Sequence, residues 1–251
     1  MTLEPALVML VVVLAAAILS ILVYAARGPA EDRDAKTRGT QFLMGGGNFL
    51  VHWFLWALTP LDRLAAVLRL TPDFFNFSGL FFGALSGLAI GIGELEWGGW
   101  AIALGGVSDI MDGRVARARG LSSDYGKFID ATLDRFVESF ALLGFVYFLR
   151  AFAYGPLIAA AALGGSLLVP YARARGESVG VLCKEGLMQR AERLALLCLV
   201  CWSDGVLARA LGRPEGSAAL LVLGLIAVGT LATAAHRTLW IAARLLERDG
   251  R

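Results

Sequence analysis

The chain has 251 residues, of which 57% are hydrophobic and 18% are charged, whereas a typical soluble domain carries about 25% charged residues. This composition and a mean hydropathy of +0.67 argue against a soluble globular protein and favour a polytopic membrane protein in a lipid bilayer. The formal net charge of +2 is too small for a nucleic-acid-binding surface, so we expect no nucleic-acid partner.

Several apolar stretches approach or exceed the roughly 18–20 residues that cross a bilayer as a helix. The sequence therefore predicts an all-α, polytopic membrane helical bundle. Its seven predicted spans, in chain order, are 5–26, 78–93, 96–118, 128–150, 154–174, 190–211 and 217–243.

The segment 42–70 differs from these stretches because it is rich in aromatic residues and is interrupted by Gly45–Gly47 and Pro60. Beyond Pro60, apolar residues alternate with charged ones. This pattern predicts an interfacial amphipathic helix that lies at the membrane surface. The alternative is a further span through 42–58, which is long enough only at the margin.

The distribution of lysine and arginine predicts the orientation of the chain. If the first span runs from outside to inside and the interfacial segment stays inside, nearly all of the 23 basic residues lie on the cytoplasmic side. The three exceptions are Arg150, Arg209 and Arg213. A further span in the interfacial segment would invert every later loop and remove this bias. We therefore predict a multi-pass protein of the cell (inner or plasma) membrane.

Glycines recur at every fourth position of the second span, at Gly79, Gly83, Gly87 and Gly91. On a helix they form one smooth stripe, which allows a neighbouring backbone to approach closely. The stripe predicts tight helix packing and indicates no function.

The cytoplasmic ends of the third and fourth spans carry acidic residues, which membrane helices normally avoid. Asp109 and Asp112 lie three residues apart, and Asp130 and Asp134 lie four apart. Because a short turn joins the two helices, both acidic faces can point into one cleft. Four close carboxylates need compensating positive charge, and oxygen ligands favour Mg²⁺ or Mn²⁺. We therefore predict a cytoplasm-facing site for two divalent ions about 4 Å apart.

Small residues share these acidic faces. Gly113 and Ala116 follow on the third span, and Gly126 precedes the acids of the fourth. They leave room for a ligand between the helices. The alternative is a salt-bridged or solvated loop, because several arginines are near. That alternative explains Asp124 well, so we leave Asp124 outside the site.

The sequences "DIMDGRVAR" (109–117) and "GKFIDATLD" (126–134), separated by eight residues, resemble the signature of the CDP-alcohol phosphotransferase family, also called CDP-alcohol phosphatidyltransferases. The resemblance covers 71–245 and implies six spans preceded by an amphipathic helix. The N-terminal span 5–26 is then an addition to the family fold. We treat 1–251 as a single membrane domain.

The resemblance implies transfer of a substituted phosphate from a CDP-linked donor, in most bacterial members CDP-diacylglycerol, to an alcohol, with release of CMP. It implies a homodimer and two metal ions held by Asp109, Asp112, Asp130 and Asp134. Asp134 would also act as general base on the acceptor hydroxyl. The residues implied to bind the nucleotide are Asp112, Gly113, Ala116, Arg117 and Gly126.

A second block bears on the acceptor, because basic residues gather on the predicted cytoplasmic side at Arg173, Arg175, Lys184, Arg190 and Arg193. Such side chains suit an anionic acceptor, and ordinary positive-inside charge is the alternative. This block and "FIDATLDRF" (128–136) are similar to the phosphatidylinositol phosphate synthase branch of the family. That similarity implies a phosphorylated alcohol, inositol phosphate, as the acceptor.

Other functions remain open from the sequence. Glycerol 3-phosphate or serine could replace inositol phosphate in the same chemistry. A divalent-cation transporter is the remote alternative of another class, since carboxylates on facing spans also suit ion permeation. An apolar gap of several turns separates Asp109 from Glu94 and Glu96 at the other end of the third span, which argues against a transport path.

Overall fold

The computed structural model describes residues 5–27, 48–183, 185–186 and 188–250. Within these ranges the chain forms helices and no β-strand. The α-helices of the described residues are α1 (Pro5–Arg27), α2 (Asn48–Ala57), α3 (Thr59–Val67), α4 (Pro72–Ile92), α5 (Leu95–Ala118), α6 (Asp124–Phe148), α7 (Gly155–Ser178), α8 (Arg190–Leu211) and α9 (Ser217–Arg248).

The prediction of an all-α, polytopic membrane bundle is confirmed. Helices α4, α7, α8 and α9 are long and apolar enough to cross a bilayer, and α1 contributes a shorter apolar stretch, Val11–Arg27. Helices α5 and α6 have 24 and 25 residues, but they carry the acidic residues of the predicted site, which lower their hydropathy. The protein is a multi-pass membrane protein, and the count of seven spans stays a prediction.

The predicted interfacial segment is described from residue 48 onward, and 42–47 lie outside the described residues. Its described part forms two short helices, α2 and α3, and the break between them lies next to Pro60, where the sequence is interrupted. Pro60 lies in the first turn of α3, where the missing N–H leaves no hydrogen bond unmade. The described part of helix α2 has 10 residues.

Aromatic contacts join α1 to α2. Trp53 Nε1 donates a hydrogen bond to Ser20 Oγ at 2.9 Å. Tyr24 is buried, and its ring centroid lies 5.5 Å from that of Phe49 and 5.4 Å from that of Trp56. These contacts hold α1 against α2.

The chain divides into two compact units, one comprising 1–79 with 106–130 and the other 80–105 with 131–251. The unit boundaries fall inside α4, α5 and α6. A cluster of buried residues from α3 and α5, including Ala65, Met111 and Val115, forms the core of the first unit. That 1–251 is a single domain stays a prediction.

In the second unit, the glycine stripe of α4 packs against α6. A Cβ atom at Gly83 would lie 2.8 Å from the Cα atom of Val137, and one at Gly87 would collide with the carbonyl group of Phe140. Gly144 faces the backbone of Gly87 from the other side. The predicted tight packing is confirmed, and the close neighbour is a helix of the same chain.

Candidate active site

A tight turn between α5 and α6 positions the acidic residues. Gly120 follows α5 in the left-handed conformation at φ 67°, and the N–H of Leu121 donates to the carbonyl of Ala116 at 2.8 Å. This glycine-dependent arrangement satisfies the last carbonyls of a helix. Ser123 caps α6, since its Oγ accepts the N–H of Gly126 at 3.1 Å. Both ends of the turn are thus fixed by hydrogen bonds.

Asp109 and Asp130, on opposite sides of this turn, present their carboxylates to each other. A carboxylate oxygen of Asp109 lies within 4.8 Å of one of Asp130. Asp134, one turn beyond Asp130 on α6, is the third residue of this cluster, and we call Asp109, Asp130 and Asp134 the acidic group. All three side chains are partly exposed. Among the described residues, these are the acids that group together in this way, and Asp112 is not one of them.

The donor set of this acidic group fits a divalent cation of the Mg²⁺ or Mn²⁺ type. All three members are carboxylates, which are hard oxygen donors. Structural zinc sites are built mainly from Cys and His, and the group contains neither. Carboxylates this close also need a cation to remain ionised together. The group suits a divalent metal, and the number of ions stays a prediction.

Asp112 and the small residues predicted to bind the nucleotide lie beside the acidic group along the chain. Asp112 is buried, with 5% exposure, and its Oδ1 accepts the backbone N–H of Gly113. Gly113 and Ala116 are half-buried on α5, and Gly126 is half-buried on α6. The metal role of Asp112 and the nucleotide roles of all these residues stay predictions.

Arg117, the remaining predicted nucleotide ligand, lines a cavity of about 470 Å³ in the first unit. Asp62 of α3 and Arg114 of α5 line the same cavity, and Arg114 Nε donates to both carboxylate oxygens of Asp62, at 2.9 and 3.0 Å. Arg119 Nη2 donates to the carbonyl of Ala65 at 3.0 Å. These contacts join α3 to α5, the helix that carries residues 109–117 of the family signature.

Asp124 lies outside the acidic group, in agreement with the sequence analysis. Its carboxylate accepts a hydrogen bond from Lys127 Nζ at 2.8 Å, and its side chain is 97% exposed. The hydrogen bond and the charge of Lys127 lower the pKa of Asp124 below its ordinary value. Asp124 is a solvated surface carboxylate.

Two ion pairs join α6 and α8 within the second unit. Arg190 Nη2 lies 2.7 Å from Asp134 Oδ1. About one turn further along each helix, Arg193 donates two hydrogen bonds to Glu138, one of them 2.9 Å long between Nη2 and Oε2. Because the pairs follow in the same order on both helices, α6 and α8 run parallel here. Sequence analysis missed Glu138, which no motif marks.

The other basic residues predicted for the acceptor lie elsewhere. Arg173 and Arg175 are exposed on α7, and Arg173 Nε donates to Glu177 Oε1 at 2.9 Å, one turn away. Lys184 lies outside the described residues. Of the predicted set, Arg190 contacts an acid of the site and Arg193 is buried one turn away. Their roles in acceptor binding stay predictions.

Comparisons with known proteins agree with this geometry. The family model of CDP-alcohol phosphatidyltransferases matches residues 49–202, a range that begins in α2 and contains all four signature aspartates. The phosphatidylinositol phosphate synthase of Streptomyces avermitilis is 30% identical over 204 residues, which cover 78% of this chain and 82% of that protein.

Solved structures of the Mycobacterium tuberculosis phosphatidylinositol phosphate synthase are also similar. The structure with CDP-DAG bound has a TM-score of 0.63 and 25% identity, and the match covers 73% of this chain and 92% of the other. The complex with manganese and citrate has a TM-score of 0.64 and 25% identity, over 73% and 88% of the two chains. Since the family model matches more than half of the sequence, the chain belongs to the CDP-alcohol phosphatidyltransferase family.

Proposed function

We propose that this protein transfers the phosphatidyl group of CDP-diacylglycerol to a hydroxyl of inositol phosphate and releases CMP, in phospholipid biosynthesis. The observation that carries the proposal is the acidic group of Asp109, Asp130 and Asp134, with Arg190 bound to the last of these acids. Carboxylates suit the metal that phosphoryl transfer requires, and a guanidinium suits the phosphate of an acceptor. Similar proteins named phosphatidylinositol phosphate synthase support this acceptor.

The reaction replaces the phosphoanhydride bond of the CDP-linked donor by a phosphoester bond to the acceptor. The acceptor hydroxyl oxygen forms a bond to the phosphorus that bears diacylglycerol, and the bond from this phosphorus to the oxygen of CMP breaks. Asp134 takes the hydroxyl proton as general base. Asp109, Asp112, Asp130 and Asp134 would hold a divalent metal, which would supply positive charge to stabilise the departing CMP phosphate.

The residues around the acids bind the donor. Gly113, Ala116 and Gly126 provide space for the cytidine nucleotide, and Arg117 lies near its phosphates. The acyl chains remain in the bilayer, which accounts for a site carried by membrane helices. We also propose that the site faces the cytoplasm, because the basic residues concentrate on that side of the predicted topology. The homodimer implied by the family resemblance stays a prediction.

Arg190 links acceptor binding to the general base. Its side chain is 20% exposed and pairs with Asp134, so an incoming phosphate can reach the guanidinium. A phosphate that binds Arg190 replaces one carboxylate contact and leaves Asp134 available for the hydroxyl proton. Arg193 does not take this role in the proposal, because its side chain is only 1% exposed.

The proposed function is tested by supplying CDP-diacylglycerol with each candidate alcohol to the protein in proteoliposomes and identifying the lipid product by mass spectrometry. We expect phosphatidylinositol phosphate and an equal amount of CMP with inositol phosphate. Formation of phosphatidylglycerophosphate or phosphatidylserine instead would reassign the acceptor. Absence of CMP with every alcohol, or metal flux without CMP, would contradict the transferase assignment.

Replacing Arg190 by Ala is expected to raise the KM for the acceptor by about 10–100-fold, because a charge-assisted hydrogen bond contributes about 1.5–3 kcal/mol and about 1.4 kcal/mol corresponds to tenfold. The KM for CDP-diacylglycerol should stay within about twofold. The matched control is Arg244→Ala, which removes an arginine that is 57% exposed on α9. Equal increases of both KM values in Arg190→Ala would contradict a phosphate-binding role.

A further inference from the structure

We propose that the cavity between α3 and α5 binds the phosphate of an anionic phospholipid head group, at a site separate from the acidic group. Its volume of about 470 Å³ lies within the range of small-molecule sites, roughly 300–1,000 Å³. The described residues that line it belong to α3 and to the end of α5, within the first unit. The inference goes beyond the proposed function, because the proposed reaction takes place at acids on another face of α5.

The cavity lies on the side of α5 opposite to the signature acids. Successive residues of an α-helix are rotated by about 100°. Ala118 lines the cavity and follows Asp109 by nine residues, so it is rotated from Asp109 by about 180°. Arg114, also in the lining, follows Asp109 by five residues, a rotation of about 140°. Arg117 lies between the two faces, and the proposal does not require it.

Protein contacts hold two arginines of the cavity in place. Arg114 is 12% exposed and pairs with Asp62. Arg119 Nη2 donates to the carbonyl of Ala65, an uncharged acceptor that leaves the guanidinium its full positive charge. An arginine that is already positioned loses less conformational entropy when it binds a phosphate. Ordinary positive-inside charge, which is the alternative, requires neither a cavity nor fixed side chains.

The charge of the cavity favours an anionic ligand. Of the described residues that line it, three are arginines and one is an aspartate, which gives this set a formal charge of +2. Guanidinium groups match the geometry of phosphate oxygens, and basic pockets between membrane helices bind the head groups of anionic lipids. The ligand chemistry that fits is therefore a phosphate group.

The position of the cavity on α3 favours a lipid over a free phosphate. Helix α3 belongs to the segment predicted to lie at the membrane surface. Leu64 and Leu68 are 51% and 57% exposed and lie two and six residues beyond Asp62, which places them on the far side of α3 from the cavity. When that apolar side lies among acyl chains, the side with Asp62 and Ala66 lies at the level of the head groups. The occupant is thus a phospholipid of the surrounding membrane.

The experiment uses the purified full-length protein in neutral detergent micelles and three probes, dioleoylphosphatidylglycerol, dioleoylphosphatidylcholine and inorganic phosphate. Thermal unfolding measures stabilisation, and native mass spectrometry gives the apparent Kd of bound lipid. We expect phosphatidylglycerol at about 100 times its Kd to raise the unfolding midpoint by about 5–10 °C, and the other probes to raise it by much less. Equal stabilisation by phosphatidylcholine would overturn the inference, and equal stabilisation by inorganic phosphate would overturn the choice of a lipid.

The variant Arg119→Gln tests the charge of the cavity. It removes a guanidinium that contacts α3, and we expect the apparent Kd for phosphatidylglycerol to rise about tenfold or more. The matched control is Arg63→Gln, which removes an arginine that is exposed on α3. Because exposed charges are screened by salt, this control should change the Kd by less than about twofold. Equal increases in both variants would show a general effect of surface charge and would overturn the inference.

The variant Ala66→Leu tests the space of the cavity without changing its charge. Ala66 is exposed on α3 and lines the cavity, and leucine is nearly as good a helix former as alanine. The larger side chain should occupy the place of the head group and raise the apparent Kd for phosphatidylglycerol about tenfold or more. Val67→Leu, at an exposed neighbouring position of α3, is the control and should leave this Kd unchanged.

These measurements separate the cavity from the proposed active site. A lipid that binds at the signature acids would respond to neither Arg119→Gln nor Ala66→Leu. Wild-type affinity for phosphatidylglycerol in both variants would overturn the inference, and Ala66→Leu decides alone if Arg119→Gln does not fold. Because lipid binding is measured without turnover, its failure leaves the proposed transferase reaction untouched, and failure of that reaction leaves the lipid site untouched.

Discussion

Replacement of Asp134 by Asn is expected to lower kcat for CMP release by about 10²–10⁴-fold, the range that a positioned general base contributes. The amide has nearly the same size as the carboxylate but cannot accept the hydroxyl proton, and it is a weaker metal ligand. Because Asp134 also belongs to the acidic group, the loss should lie at the upper end of this range. The measurement is CMP release at saturating concentrations of both substrates.

Three comparisons make this result specific. Asp130→Asn should also abolish CMP release, since Asp130 belongs to the same acidic group. Asp124→Asn is the control and should retain wild-type turnover. Asp124 is an exposed carboxylate on α6, six residues before Asp130. Thermal unfolding should show that all three variants are folded. Retained activity in both Asp130→Asn and Asp134→Asn would contradict the assigned chemistry.

The features that the sequence predicted well are local ones. The approach of Asp109 to Asp130 follows from helical periodicity on either side of a short turn, and Gly120 and Ser123 close that turn with contacts over at most five residues. The glycine stripe is likewise a regular pattern along one helix. Such features depend on neighbouring residues only, so spacing is enough to predict them.

The contacts that organise the surroundings of the site are not local. Arg114 pairs with Asp62 across 52 residues and Arg193 with Glu138 across 55. Neither acid stands in a motif, and spacing does not indicate which helices become neighbours.

Exposure was a second quantity that the sequence did not supply. The five basic residues predicted for the acceptor look alike in the sequence, but their described members differ in their surroundings. Arg173 is paired with Glu177 on the surface of α7, Arg190 reaches Asp134, and Arg193 is buried. A charge count can predict a basic face of the membrane, whereas only the packing of α6 against α8 distinguishes a partly exposed arginine from a buried one.

Removal of divalent cations by chelation is expected to abolish CMP release, and addition of Mn²⁺ or Mg²⁺ should restore it, because Asp109, Asp130 and Asp134 form an oxygen-only donor group. Activity alone does not separate a metal bound by the protein from a metal bound by the donor's pyrophosphate. The second measurement is therefore thermal unfolding without substrate, where a ligand at 100 times its Kd stabilises the native protein by about 2.7 kcal/mol.

The variant Asp109→Asn decides between these two sources of metal dependence. It removes one carboxylate of the acidic group and leaves the proposed general base intact. If the protein binds the metal, the increase in unfolding midpoint with Mn²⁺ should shrink in Asp109→Asn and persist in Asp124→Asn, whose carboxylate lies outside the group. An equal Mn²⁺-dependent increase in wild-type protein and Asp109→Asn would show that the acidic group does not hold the ion, and the metal role of all its members would then have to be abandoned.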